Sequence, residues 1–228
     1  FGYYLTNGAS RNKIKNSTVT LKKINTGSVG IKVLNTGGSS TSNNHNQIYN
    51  VIVQNCYNGI QILGSGTAPD TANEIGVAST GLNIIRDIGK TSSALSVFGI
   101  QETNQHGSKI FNTEIIDTRG SGTTGQVTAI SFSGTTSATR GMIYGNKIHS
   151  VSLASTSSAV LYGIRIDGGS VDIYNNFLYD FRNTTGDTIV TIRPLAALGG
   201  FPAFYFNSVL LNQQTSLPVS AITAALYT

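Results

Sequence analysis

Short stretches of alternating apolar and polar residues recur along the whole chain, separated by corners rich in Gly, Ser, Thr and Asn. The clearest unit spans residues 162–178, with strand patterns at 163–166 and 171–174 on either side of a Gly-Gly corner. An Asn-Asn bend follows, and a third strand pattern starts at Phe177. Alternation with a period of two predicts strands with one buried face, so the unit is predicted to be three short strands joined by corners.

This unit repeats at an irregular interval. The second strand is centred on an apolar residue that returns after 27 residues at the shortest interval (Ile48 to Ile75) and after 35 at the longest (Ile75 to Ile110). The seven centres are Ile14, Ile48, Ile75, Ile110, Ile143, Ile173 and Tyr205. The first strand also has seven copies, at residues 2–5, 30–33, 59–62, 99–102, 129–132, 163–166 and 189–192.

One such unit cannot bury its apolar face alone, whereas stacked copies bury it against each other. The pattern therefore predicts an all-β parallel β-helix, a solenoid of about seven coils. We expect residues 1–228 to form a single solenoid segment. Strand patterns run to both ends without a capping element, which leads us to expect that the segment belongs to a longer chain.

Asn stands two residues after the apolar centre in five of the seven copies. The seven aligned residues are Asn16, Asn50, Val77, Asn112, Gly145, Asn175 and Asn207. Asn and Gly tolerate a left-handed backbone, so we expect a bend with positive φ in each coil. We also predict that the stacked Asn side chains form an inward amide ladder. Val77 lies in residues 76–81, which we interpret as a local insertion.

The residue after each apolar centre should point outward, and this outward position is mostly aromatic. The column reads Lys15, Tyr49, Gly76, Phe111, Tyr144, Tyr174 and Phe206. Rings stacked along one face form a stripe that would usually mark an interaction site if it were exposed. Two interpretations stay open. In the first, loops such as residues 68–72 fold over the stripe or the rings only stack on one another. In the second, a second protomer or sugar rings bind to the stripe.

Composition narrows the classes of partner. Charged residues are 11% of the chain, and the net charge of +5 comes from scattered single residues, whereas nucleic acid prefers a dense basic stripe. We therefore predict no nucleic-acid partner. The single Cys56 excludes an internal disulfide. No run of about 18 apolar residues is present, so no transmembrane segment is predicted.

Candidate chemistry is sparse. Glycoside hydrolysis usually needs two carboxylates about 5 to 9.5 Å apart. The outward position before each apolar centre has only Glu74 and Asp172, which are three coils and roughly 14 Å apart. Opposite charges close in sequence, at Arg86-Asp87, Asp117-Arg119 and Arg165-Asp167, are interpreted as surface ion pairs. His45, His106 and His149 are isolated, so we predict neither a metal site nor a cofactor.

Residues 143–152, 162–181 and 203–212 resemble the repeats of large right-handed parallel β-helix proteins on the outside of Bacteroidota, many of them exported by type IX secretion. The resemblance implies a right-handed, single-stranded coil and an extracellular or cell-surface location. The repeat and the absence of an acid pair favour a non-enzymatic structural or adhesive module, which would contact itself, neighbouring domains or a glycan. The alternative is a polysaccharide lyase or glycoside hydrolase of the pectate-lyase-like β-helix class, since the same fold serves both.

Overall fold

The computed structural model describes residues 1–36, 41–76, 81–90, 95–121, 125–136, 139–154, 159–184, 191–211 and 226–228. Within these ranges the chain forms strands, turns and bends, and no helix. All strand pairs are parallel, and each strand pairs with its equivalents in the coils before and after it. The predicted all-β parallel β-helix is confirmed, with about six turns against the predicted seven.

Each coil contributes to three sheet faces. Face A contains β1 (Tyr3–Thr6), β3 (Val29–Leu34), β5 (Asn58–Leu63), β9 (Val97–His106), β12 (Gln126–Gly134), β15 (Val160–Gly168), β18 (Thr191–Ala197) and β21 (Leu226–Tyr227). Face B contains the first half of β2 (Lys13–Thr20) and of β4 (Gln47–Gln54), then β7 (Glu74–Ile75), β10 (Lys109–Phe111), β13 (Gly141–Tyr144), β16 (Ser170–Tyr174) and β19 (Phe201–Tyr205). Face C contains the second halves of β2 and β4, then β8 (Asn83–Gly89), β11 (Thr113–Ser121), β14 (Lys147–Ala154), β17 (Phe177–Asn183) and β20 (Ser208–Leu210). The short β6 (Asp70–Thr71) pairs with the end of β9.

Alternate residues of each strand point inward and form aliphatic columns along the axis. The face B column consists of Ile14, Ile48, Ile75, Ile110, Ile143, Ile173 and Phe204, paired from coil to coil. The first six are the predicted centres, and all six are buried. The predicted seventh centre, Tyr205, is wrong, because Phe204 pairs with Ile173 and Tyr205 pairs with Tyr174.

The predicted bends lie at the corner between faces B and C. The φ angle is 53° at Asn16, 51° at Asn50, 45° at Asn112 and 54° at Asn175. In the last coil the left-handed residue is Phe206, with φ 56°, and not Asn207, because the register of that coil starts one residue earlier. Val77 and the copy of the first strand at Ile189 and Val190 lie outside the described residues.

An inward amide ladder exists and includes Asn207 as predicted, but at Asn146 and Asn176 it lies one residue after the predicted position. Asn16, Asn50 and Asn175 are exposed and Asn112 is half-buried, because the left-handed turn points the bend residue outward and the next residue inward. Asn176 donates to Asn207 Oδ1 over 2.9 Å, and Asn146 donates to Asn176 Oδ1 over 2.9 Å. Asn146 and Asn176 are buried, so hydrogen bonds to the neighbouring coil replace the hydrogen bonds to water that each amide loses on folding.

A second amide ladder lines the corner between faces A and B. Asn12 donates to Asn46 over 3.0 Å, Asn46 to Asn73 over 3.2 Å, and Asn73 to Gln105 Oε1 over 3.1 Å. Polar corners and aliphatic faces therefore alternate around the same core, and each continues along the axis.

Candidate functional site

Four of the five predicted stripe residues share one outward column on face B. Tyr49 is separated by Gly76 from a continuous run that we call the aromatic column, which consists of Phe111, Tyr144, Tyr174 and Tyr205. Phe206 does not belong to it. Phe206 is the left-handed corner residue, so it lies outside the strand and is 84% exposed. Tyr205 occupies the position in the aromatic column that was predicted for Phe206.

The rings of the aromatic column stack on one another. Centroids are 4.9 Å apart between Phe111 and Tyr144, 5.0 Å between Tyr144 and Tyr174, and 5.7 Å between Tyr174 and Tyr205. The interplanar angles are 10°, 2° and 25°. Both faces of Tyr144 and Tyr174 are thus occupied by neighbouring rings, so a sugar ring has no free aromatic face there. This geometry fits a stabilising ladder, worth about 0.5 to 1.5 kcal/mol per stacked pair.

Ion pairs lie beside the aromatic column. Glu74 is 2.8 Å from Lys109 Nζ and accepts a hydrogen bond from Gln47, and Asp172 is 2.7 Å from Arg140 Nε. Burial raises the pKa of Glu74, but the hydrogen bonds from Lys109 and Gln47 outweigh it and hold the pKa below its ordinary value. The two carboxylates that the sequence analysis considered for glycoside hydrolysis are therefore each neutralised by a cation.

A second outward surface, on face C, is shaped by a repeated backbone bend. Asp87, Asp117, Ser150 and Asp180 stand at equivalent places in four successive coils, and their φ angles lie between 54° and 60°. Each bend interrupts the strand alternation and leaves a concave strip. The strip holds a groove of about 200 Å³, which we call the face C groove, lined by Asp117, Arg119, Ser150, Ser152, Asp180 and Arg182.

Charges in the face C groove are paired within each strand. Arg119 Nη2 is 2.5 Å from Asp117, and Arg182 pairs with Asp180 in the same way two coils later. The predicted ion pair between Asp117 and Arg119 is thus present, and so is the predicted pair between Arg165 and Asp167, at 2.7 Å. The predicted ion pair between Arg86 and Asp87 is wrong, because Arg86 donates to Gln54 and Asp87 pairs with Lys23.

Beside the groove, four side chains form a continuous hydrogen-bonded chain. Glu114 Oε1 lies 3.0 Å from His149 Nε2, His149 Nδ1 lies 3.2 Å from Ser150 Oγ, and Ser150 Oγ donates to Asp180 Oδ2 over 3.0 Å. Lys147 donates to the same Glu114 oxygen over 2.8 Å. The hydrogen bond from Lys147, with that of His149, keeps the pKa of Glu114 below its ordinary value although burial opposes this.

His149 is not the isolated residue that the sequence analysis described. Its ring stacks on Tyr179 at 4.7 Å and 8°, and only 10% of its side chain is exposed. Its partner Glu114 is 35 residues earlier, which is one coil of the solenoid. This one-coil spacing in the sequence could have predicted that Glu114 and His149 lie side by side.

Two further acids are buried inside the solenoid. Glu102 points into the core of face A, where its equivalents in the neighbouring coils are Ile62 and Phe132, and it accepts a hydrogen bond of 2.6 Å from Ser108. Burial raises the pKa of Glu102 to about 7. Asp70, also fully buried, accepts the backbone N–H of Asn43, and burial raises its pKa as well. Strand alternation predicts the inward position of Glu102, since Ile100 is inward and Gln101 outward.

Across the described ranges no group of three or more His, Cys, Asp or Glu is placed to hold a metal ion. Cys56 is buried, and burial raises the pKa of its thiol to about 11, so it is poorly reactive. In the part of the chain that the structure describes, no helix has the length and apolar character needed to span a lipid bilayer.

Comparison of the chain with models of known protein families, with curated proteins and with solved structures finds no match. The resemblance to surface proteins of Bacteroidota therefore stays a hypothesis that rests on the sequence, while the parallel β-solenoid rests on the structure.

Proposed function

We propose that this chain is a structural and adhesive module of a bacterial surface or extracellular protein, in which the solenoid serves as a stiff rod and its outward faces make the contacts. The observation that carries the proposal is the continuity of the side-chain ladders. Aliphatic columns, two amide ladders and the aromatic column each run from coil to coil. Because every coil contacts only its neighbours, such ladders stiffen the molecule along its axis.

The pairing of the charged residues supports a structural role over the two-carboxylate alternative. Every outward-facing carboxylate within the described ranges is in an ion pair with Lys, Arg or His. These are Glu74, Asp87, Glu114, Asp117, Asp167, Asp172 and Asp180. A glycoside hydrolase needs one acid with a raised pKa beside a free carboxylate, and a calcium-dependent lyase needs several carboxylates converging on one ion.

The edges and hydroxyl groups of the aromatic column remain the surface for contacts with a second copy of the chain. Replacing Tyr49, Tyr144 and Tyr174 together by Ser should lower self-association in sedimentation velocity while circular dichroism still shows β structure. Replacing Lys32, Gln61 and Gln101 by Ser on face A provides the matched control. A triple Tyr variant that associates as the unmodified chain does would remove the aromatic column as the contact surface.

The structural role itself is tested by incubating the protein with pectins, alginates and host glycans and measuring the length of the products. We expect no cleavage of the polysaccharide backbone. Cleavage that is abolished by Glu74→Gln or Asp172→Asn would overturn the structural role in favour of the lyase or hydrolase alternative.

A further inference from the structure

We propose that Ser150 is the nucleophile of an acyl-transfer site in the face C groove, with His149 as its general base and Glu114 as the positioning residue, and that the site hydrolyses carboxylic esters with a small acyl group. This activity goes beyond the structural role, since a rod needs neither the histidine nor the groove. It requires no free carboxylate, so the ion pairs of the groove do not oppose it.

The hydrogen bonds select the reactive form of the imidazole. Glu114 is an ionised acceptor, and its 3.0 Å contact with Nε2 favours the form of His149 that carries its proton on Nε2. The Nδ1 lone pair then faces Ser150 Oγ at 3.2 Å. A hydroxyl, a base and a third group that orients the base are the elements of an activated serine.

Asp180 holds the serine side chain in place. Ser150 Oγ also donates to Asp180 Oδ2 over 3.0 Å, so the hydroxyl has to turn from Asp180 to His149 Nδ1 before the base takes its proton. Asp180 is itself held by an ion pair with Arg182. Ser150 Oγ is therefore held at the groove surface between Asp180 and His149.

The fold explains why this serine is presented to the groove. Its φ of 56° is shared by Asp117 and Asp180, so the left-handed bend belongs to face C and this coil places a hydroxyl where its neighbours place carboxylates. Ser152 lines the same groove two residues later without a contact to His149 among its hydrogen bonds in the described structure. The control serine is Ser170, which lies on face B and outside the groove.

The groove limits the substrate. Its volume of about 200 Å³ accommodates a small acyl group, and the guanidinium groups of Arg119 and Arg182 line it on both sides of Ser152. Fixed N–H donors of this kind stabilise the negative charge that develops on a carbonyl oxygen. Both side chains are already held by Asp117 and Asp180, so little ordering is needed when a substrate binds.

The reaction balances with water as the only co-reactant. Ser150 Oγ attacks the ester carbonyl carbon as its proton passes to His149 Nδ1. The bond between carbonyl carbon and alcohol oxygen breaks, and the alcohol leaves with that proton. Water then attacks the acyl-serine in the same way, His149 again takes and returns the proton, and the carboxylic acid leaves with Ser150 restored.

The test combines a fluorophosphonate probe with hydrolysis of 4-nitrophenyl acetate by the full chain. Mass spectrometry should locate the probe on Ser150, and Ser150→Ala should lower kcat by about 100-fold or more, while Ser170→Ala on face B retains activity. Glu114→Gln should lower kcat with an unchanged KM, because it disturbs the base and not the groove. Labelling of the unmodified chain needs no substitution, so the proposal is tested even where a variant folds poorly.

No labelling of Ser150, or hydrolysis that Ser150→Ala leaves unchanged, would overturn the proposal. Equal losses in Ser150→Ala and Ser170→Ala would do the same, because they would show that the loss does not depend on the Ser150 hydroxyl. These outcomes are separate from the test of the structural role, which measures cleavage of a polysaccharide backbone and not release of an acyl group.

Discussion

Glu102 should make the solenoid more stable in mild acid than at neutral pH. A carboxyl with a folded-state pKa raised to about 7 contributes stability that is fully present below its unfolded value of 4.5 and is lost as the pH rises to 7. The difference between the two values corresponds to about 3 kcal/mol of unfolding free energy. The raised pKa of Asp70 acts in the same direction.

The substitution Glu102→Gln isolates this effect. The Gln amide oxygen can still accept the hydrogen bond from Ser108, and the side chain fills the same space in the core, but it has no charge to desolvate. We expect the unfolding free energy of the unmodified chain to fall by about 3 kcal/mol between pH 4.5 and pH 8 in urea titrations followed by circular dichroism. The unfolding free energy of Glu102→Gln should fall much less, and this variant should be the more stable of the two at pH 8.

The control is Glu74→Gln on face B. The pKa of Glu74 is lowered, so its contribution is present above pH 4.5 and disappears only in stronger acid. The unfolding free energy of the Glu74→Gln variant should therefore still fall between pH 4.5 and pH 8, as it does in the unmodified chain. Equal unfolding free energies of the unmodified chain at the two pH values, or the same decline in Glu102→Gln, would refute a buried and ionisable Glu102.

The fold was predictable because the information lies within each coil. Ile48, Ile110 and Ile173 stand at the centre of strongly alternating segments, and repetition of that pattern leaves stacked parallel strands as the way to bury them. The last coil shows where this reasoning fails. Residues 203–206 read Ala-Phe-Tyr-Phe, so alternation does not distinguish the two registers, and a shift of one residue exchanges inside and outside. This is why Phe206 was predicted where Tyr205 lies.

The amide ladder was displaced for a related reason. In Asn175-Asn176 either side chain could point inward, and the choice depends on which residue has the left-handed φ, a property that alternation does not encode. The face C groove was missed because its partners belong to different coils. Glu114 and His149 become neighbours only once the register of β11 and β14 is known, and the bend at Ser150 breaks the alternation that would locate it.

Two further substitutions test the corner between faces B and C. Asn176→Ala should lower the unfolding free energy by about 1 to 3 kcal/mol, because it removes hydrogen bonds to the buried Asn146 in the coil before and to the half-buried Asn207 in the coil after, whereas Asn175→Gly at the exposed bend should change it little. Phe206→Gly should raise the unfolding free energy by about 1 kcal/mol. A left-handed backbone costs an L-residue about 1 to 2 kcal/mol and costs Gly almost nothing, and Phe206 is 84% exposed, so little apolar burial is lost with its ring. Urea titration of both variants measures these changes, with Tyr205→Gly as the contrast that should be destabilising, because Tyr205 stacks on Tyr174 in a strand. If Phe206→Gly were as destabilising as Tyr205→Gly, the register of the last coil would have to be the one first predicted from the sequence, with Phe206 in the aromatic column.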